Sequence, residues 1–223
     1  MNIKAGRWRA RIVSLAQAEA ALDLRARVFR SGACDADAYD AQARHLLIED
    51  ATGIAACARL TVQRGADVLT GYTAQHYDLS AFSAGFASAL EVGRVCLAPE
   101  CRDLDVPRLL LASLARIVGV EGTAVLYGCS SFPANGAGMA RLADRQAPDA
   151  WAPRRKALLT QSLSLVPGPL PSLLRSYLSL GAAVSDHAVV DRDLGTLHVF
   201  TALPIASISP GRARLLTGML DAV

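Results

Sequence analysis

The sequence lacks the signatures of several protein classes. Its five cysteines, Cys34, Cys57, Cys96, Cys101 and Cys129, include no C-x-x-C pair, and its four histidines are scattered. An odd set without paired spacing argues against both a disulfide framework and a structural zinc site, so no metal is expected. Aromatic residues are scarce, at 5%, and the formal net charge is only +3. A nucleic-acid footprint needs clustered basic residues with stacking aromatics, so no nucleic-acid partner is expected. No uncharged run is fit to cross a bilayer. One long run, Ala157 to Leu174, is broken by Pro167, Pro169 and Pro171 and carries Thr160, Gln161, Ser162 and Ser164. The N-terminus, M-N-I-K-A-G-R-W-R-A-R, leads into A-Q-A-E-A-A-L-D-L-R and not into an apolar signal core, so a cytoplasmic location is expected.

Apolar content is ample. Hydrophobic residues make up 52% of the 223, and the mean hydropathy is +0.28, enough to offset the ordering entropy of one sizeable core. One domain over 1–223 is expected, with a core in 1–150 that holds the reacting groups and an extension in 151–223 that completes the sheet. Residues 1–149 hold 16 basic and 16 acidic groups, whereas 150–223 hold 7 and 4, so the positive surplus lies in the C-terminal third. There, Arg154, Arg155 and Lys156 form a short basic run suited to a small acidic partner or to solvent.

Periodicity predicts the elements. Ala16 to Arg30 reads as an amphipathic helix ended by Gly32, and the acidic, aperiodic stretch Ser31 to Arg44 as a long loop of the kind that is functional or mobile. His45 to Glu49 and Ile54 to Val62 flank the turn D-A-T-G and read as a hairpin. Leu90 to Leu97, the apolar-periodic stretch from Val106, and Thr123 to Cys129 form a strand, a helix and a parallel strand. A helix from Leu170 to Leu180, closed by Gly181, precedes strands at Ala182 to Val190 and Thr196 to Pro204. The fold class is α/β, a mixed sheet flanked by helices, with a helix and hairpin at the C-terminal end.

Charged residues within apolar segments need partners. Arg25 and Phe29 share a face of the first helix, Asp35, Asp37 and Asp40 fill the next loop, and Arg59 sits in I-A-A-C-A-R-L-T-V. Glu91 and Arg94 lie in E-V-G-R inside a strand, where residues three apart point to opposite faces; a bulge at Gly93 would bring both to one side. Cys96 and Cys129 have no histidine near them in sequence and read as core residues.

R-A-R-V-F from Arg25, D-x-x-D at Asp37 and Asp40, H-L-L-I-E-D from His45, A-R-L at Arg59, E-V-G-R-V-C from Glu91, Y-G-C-S-S-F-P from Tyr127 and L-P-S-L-L-R-S-Y-L-S-L-G-A-A-V-S-D from Leu170 resemble, in order, the bacterial ornithine lipid synthases. These are L-ornithine Nα-acyltransferases that use 3-hydroxyacyl carrier protein. The first five motifs are also similar to those of acyl-homoserine-lactone synthases, and both groups are GNAT-like. The resemblance implies a mostly antiparallel twisted sheet with a central parallel βαβ splay, and transfer of a 3-hydroxy fatty acyl chain from acyl carrier protein to the α-amino group of an amino acid. It departs from the family at Asp186-His187-Ala188, where D-G-A is usual, and at Arg175, where lysine is usual. Ornithine is the expected acceptor, with glutamine or another amino acid open. An acyl-homoserine-lactone synthase lacks its customary tryptophan here, and a non-catalytic lipid-binding protein would have no use for Glu91, Arg25 and Arg59.

On this resemblance Glu91 is the expected base for the α-ammonium, and Arg94 the residue that holds Glu91 or the substrate. Arg25 and Arg59 would clamp the substrate carboxylate or a loop aspartate, Asp37 and Asp40 would bind a side-chain ammonium, and Phe29 would line the pocket. The loop C-R-D-L-D-V-P lacks the glycines with which GNAT enzymes cradle pyrophosphate, Pro107 lacks an amide, and Asp105 reads as a helix cap. The single phosphodiester of a carrier protein's 4'-phosphopantetheine, a donor group and not a tightly bound cofactor, is expected beside Cys96, Arg102, Arg108 and Ser130. Arg154, Arg155 and Lys156 are the expected carrier-protein patch, and the leucine-rich segment 157–180 either a weak peripheral contact with the inner membrane or core.

Overall fold

The computed structural model describes residues 2–212. In chain order its elements are β1 (Asn2–Ala5), β2 (Trp8–Val13), α1 (Glu19–Phe29), β3 (Arg44–Asp50), β4 (Gly53–Arg64), β5 (Tyr77–Asp78), α2 (Ser80–Gly85), β6 (Ser88–Leu97), α3 (Asp105–Glu121), β7 (Val125–Pro133), β8 (Arg154–Arg155), β9 (Thr160–Ser162), α4 (Ser172–Leu180), β10 (Ala183–Asp191) and β11 (Thr196–Pro204). The chain gathers into two compact units, one mainly Met1–Val62 and Val92–Gly122, the other Gln63–Glu91 and Thr123–Ser209. Strands β4 and β6 each pass along the chain from one unit into the other. The last residues of the expected extension, 213–223, lie outside the described part.

The first unit is an antiparallel run β1-β2-β3-β4, with the C-terminal half of β6 on the far side of β4. The β3–β4 hairpin forms where D-A-T-G predicts it, because Asp50 Oδ1 accepts the amide and hydroxyl of Thr52 at 2.8 and 2.6 Å. The β1–β2 hairpin has no counterpart in the sequence reading. Its strands are short and basic, and their anchor is distant in sequence: Trp8 Nε1 donates to Asp103 Oδ2 at 2.8 Å. The apolar face of α1 packs Ala21 and Leu24 with Val13, Leu47, Cys57 and Cys96, and Phe29 lies against that cluster. The helix starts three residues after the predicted Ala16, since Leu15–Gln17 forms a 3₁₀ turn.

In the second unit β6 pairs with β7 in parallel over Ala89–Glu91, and this pairing ends at Glu91. β7 continues antiparallel to β11 over nine residue pairs, and β11, β10 and β9 follow. A two-stranded sheet, β5–β8, sets Tyr77 and Asp78 opposite Arg155 and Arg154. The scarce aromatic residues concentrate here: the fully buried Phe82 ring lies 4.9–6.1 Å from those of Phe86, Tyr127, Trp151 and Phe200. The leucine stripe of α4 turns inward through Leu174 and Leu178, and Gly181, at φ 104°, closes the helix where a side chain would be strained. The result is the expected mixed α/β sheet, mostly antiparallel, with one parallel pair and flanking helices. No helix among the described residues is long and apolar enough to cross a membrane.

Candidate active site

Arg25 is buried, at 1% exposure, because the acidic loop after α1 folds over it. Its two terminal nitrogens meet Asp40 at 2.6 and 3.0 Å, its Nε donates to Asp35 Oδ2 at 2.8 Å, and one terminal nitrogen also donates to the Asp35 carbonyl at 2.7 Å. Asp35 receives Arg30 and Arg94 as well, both at 2.9 Å. Arg59 reaches Asp37 and, at 3.4 Å, Asp40. Burial works against the charge on Arg25, but the bonds to Asp40 and Asp35 outweigh it and raise its pKa. Burial likewise pushes Asp40 up, while Arg25, the Asp37 amide and Arg59 hold it below the ordinary carboxylate range.

This geometry corrects several expectations. Arg25 and Asp40 are buried and spent on each other, and of the two partners expected for the arginine clamp, a substrate carboxylate or a loop aspartate, Arg25 and Arg59 meet the loop aspartates. Of the three carboxylates only Asp37, with 26% of its side chain exposed, faces outward. Arg94 joins Asp35 at 2.9 Å and Asp37 at 3.4 Å. The backbone irregularity lies at Arg94, whose φ is 49°, one residue beyond the expected Gly93. Phe29 packs on the core with the Arg94 guanidinium 6.0 Å from its ring centre. Cys96 is buried with its Sγ 3.4 Å from that of Cys57, a core position and not a donor-lining one. Asp35, absent from the expected site, is the residue on which three arginines converge; its signal was only its place in an acidic loop.

Glu91, 6% exposed, stands in the second unit. Its carboxylate accepts the amides of Thr73 at 2.6 Å and Tyr72 at 3.2 Å. Gly71 makes this possible by lacking a side chain: a Cβ there would stand 2.7 Å from Glu91 Oε2 and 2.6 Å from Gln63 Nε2. Beside it the Tyr127 hydroxyl donates to Gln63 Oε1, and burial raises the Tyr127 pKa, with the nearby charge of Glu91 adding to the effect. No motif in the sequence announced Gly71, Tyr72 and Thr73. Cys129, half-buried on β7, lies 3.8 Å from Thr73 Oγ1, and Ser130 Oγ lies 2.9 Å from Thr201 Oγ1.

Of the residues assigned to the donor, Arg102 and Arg108 lie at the surface. Arg102 donates to the carbonyls of Pro99 and Cys101, and Arg108 pairs with Asp105 at 3.1 Å. Asp105 is the first residue of α3 and not its cap; Asp103 Oδ1 accepts its amide at 3.0 Å and brings the negative charge to the helix start. Arg154 and Arg155 are exposed on β8, while Lys156 Nζ donates to the Ala74 carbonyl at 2.6 Å. Among the described residues no cluster of His, Cys, Asp and Glu could hold a metal.

Residues 21–112 match the model of an acetyltransferase (GNAT) domain. The chain is 31% identical over 201 residues to an L-ornithine N(alpha)-acyltransferase of Brucella abortus (strain 2308), covering 78% of this chain and 72% of that one. It is 30% identical over 202 residues to the enzyme of that name from Rhodobacter capsulatus, covering 78% and 76%. In fold it resembles an N-acyl amino acid synthase from uncultured soil microbes, at a TM-score of 0.57, 10% identity and coverage of 91% and 94%. It also resembles a CoA-dependent acyl-homoserine lactone synthase, BjaI, at 0.55, 11% identity and coverage of 94% and 88%.

Two outcomes follow from the geometry. Arg25→Met leaves Asp35 and Asp40 without their shared partner and should cost about 3–5 kcal/mol, read as a lower urea midpoint at constant slope; a loss below about 1 kcal/mol would contradict the cluster's structural role. Gly71→Ala should displace the Glu91 carboxylate and lower turnover by at least about tenfold, since a misplacement of about 1 Å can cost more than that. The folded fraction by circular dichroism should stay unchanged.

Proposed function

The chain belongs to the family of L-ornithine Nα-acyltransferases, and from that premise we propose that it moves a 3-hydroxy fatty acyl chain from acyl carrier protein to the α-amino group of ornithine, giving a lyso-ornithine lipid. It is an N-acyltransferase. The observation that carries the finer reading is the Glu91 carboxylate, fixed by two amides in a largely buried position. An α-ammonium attacks nothing until it loses a proton, and Glu91 is the proton acceptor. Arg94 follows three residues later on the same strand, in a cluster of four guanidinium groups and three carboxylates. Within the first unit the cluster's formal surplus of one positive charge suits a carboxylate, and the outward-facing Asp37 suits an ammonium group.

The start of α3 supports a carrier-protein donor. Asp103 occupies an amide that an anion would use, Pro107 has none, and the segment has no glycine. Such a site suits the single phosphodiester of phosphopantetheine, with Arg102 and Arg108 near it, more than a pyrophosphate. Arg154 and Arg155 would then meet the acidic carrier surface. The product is an amphiphile, and the exposed side chains of Leu158, Leu159, Leu165 and Val166 support weak peripheral contact with the cytoplasmic face of the inner membrane.

Purified protein given 3-hydroxyacyl carrier protein, the matching coenzyme A thioester and a panel of amino acids should acylate ornithine, faster from the carrier protein. Glu91→Gln should keep its fold and lose about 10²–10⁴-fold in turnover. Near-normal turnover in that variant would remove Glu91 as base, and equal efficiency with both donors would remove the carrier-protein preference. Wild type should sediment with anionic vesicles at low salt and release at high salt, and Leu158→Ser with Leu165→Ser should abolish this; a wild type that stays in the supernatant contradicts the membrane contact.

A further inference from the structure

The carboxylate of Glu91 rests on a short turn in the second unit. Thr73–Gln75 is a single 3₁₀ turn, closed by two bonds of its own: the Gln75 amide donates to the Tyr72 carbonyl at 3.1 Å and the His76 amide to the Thr73 carbonyl at 3.0 Å. Bonds of this kind are poorly aligned, so the turn takes its place from what meets its two sides. On one side the amides of Tyr72 and Thr73 donate to Glu91 at 3.2 and 2.6 Å. On the other, the carbonyls of Ala74 and His76 accept from residues 156–157. Lys156 Nζ donates to the Ala74 carbonyl at 2.6 Å, and the Ala157 amide to the His76 carbonyl at 3.1 Å. The β5–β8 pair continues this contact, with Tyr77 opposite Arg155 and Asp78 opposite Arg154. Tyr77 anchors it in the core, where its hydroxyl donates to the His198 carbonyl at 2.8 Å. The bonds of Ala157 and of the strand pair run between backbone atoms, which any residue but proline supplies. The bond to Ala74 needs the Lys156 ammonium.

We infer that Lys156 is a positioning residue for Glu91: its ammonium fixes the Ala74 carbonyl, and through it the Tyr72 and Thr73 amides that aim the carboxylate. The Thr73 amide and the Ala74 carbonyl belong to peptide units two apart, so a rotation of the turn that releases one displaces the other. A cation meets the turn at a carbonyl and an anion meets it at two amides. Both sets of bonds are charge-assisted, each stronger than its neutral counterpart, and bonds along one chain of peptide groups polarise one another in the same sense. Lys156 therefore differs in role from Arg154 and Arg155, whose side chains stay exposed on β8. The surface expected to meet the carrier protein and the turn that holds the base are built from adjacent residues.

The inference rests on the reading of Glu91 as base, so its test separates position from turnover. Lys156→Met keeps an unbranched side chain and removes the donor. Its kcat should fall about tenfold while KM for 3-hydroxyacyl carrier protein stays within about twofold. In a Glu91→Gln background the same substitution should cost less than about twofold, because its effect passes through the carboxylate. Hydrogen exchange read by mass spectrometry, with no substrate present, should show the amides of 72–76 exchanging at least about tenfold faster in Lys156→Met, with circular dichroism unchanged. A raised KM with kcat kept would make Lys156 a docking residue and overturn the inference. Unchanged exchange in 72–76, or an equal loss of kcat in both backgrounds, would overturn it as well. Near-normal turnover of Glu91→Gln, with 72–76 loosened in Lys156→Met, would remove Glu91 as base and leave Lys156 standing as the residue that fixes its carboxylate.

Discussion

A guanidinium at 1% exposure is the constraint on which the first unit depends. Removing Arg25 from water is costly unless its donors are all met, and the residues that meet them lie 10 and 15 positions away, in a loop whose apolar side chains are mostly alanine, with no leucine, isoleucine, valine or phenylalanine. That loop has little reason to fold by hydrophobic burial. It folds because Asp35 and Asp40 close on Arg25, and because Arg59 from β4 and Arg94 from β6 close on the same carboxylates. The positive φ of Arg94 belongs to this account: an arginine in the left-handed region is strained, and its bonds to Asp35 and Asp37 hold it there.

Much of this was legible in the sequence. The β3–β4 hairpin, the strand–helix–strand order of β6, α3 and β7, and the final helix and hairpin follow from period and turn chemistry, all local signals. So did the need for partners at Arg25 and Arg59, since a charge in an apolar run is anomalous wherever it occurs. Cys129, read as a core residue, packs against the aromatic cluster of the second unit. The misses are long-range. The β1–β2 hairpin is fastened by Asp103, 95 residues from Trp8. Gly71 carried no signal, because its role is a close approach and not a turn; its φ of −72° is open to any residue.

The two units treat charge differently. In the first, carboxylates and guanidinium groups neutralise one another and fix a loop. In the second, the Glu91 carboxylate accepts the neutral amides of Tyr72 and Thr73, and the buried His198 is paired with Asp191 at 2.8 Å. Membership in an N-acyltransferase family means amide formation at a deprotonated amine, the chemistry for which Glu91 is proposed as base.

The most direct test is to locate the acyl group. Fragmentation of the product from ornithine and 3-hydroxyacyl carrier protein by tandem mass spectrometry should place the chain on the α-nitrogen and leave the δ-ammonium free. An acyl group on the δ-nitrogen, or release of free fatty acid without any amide, would contradict the account.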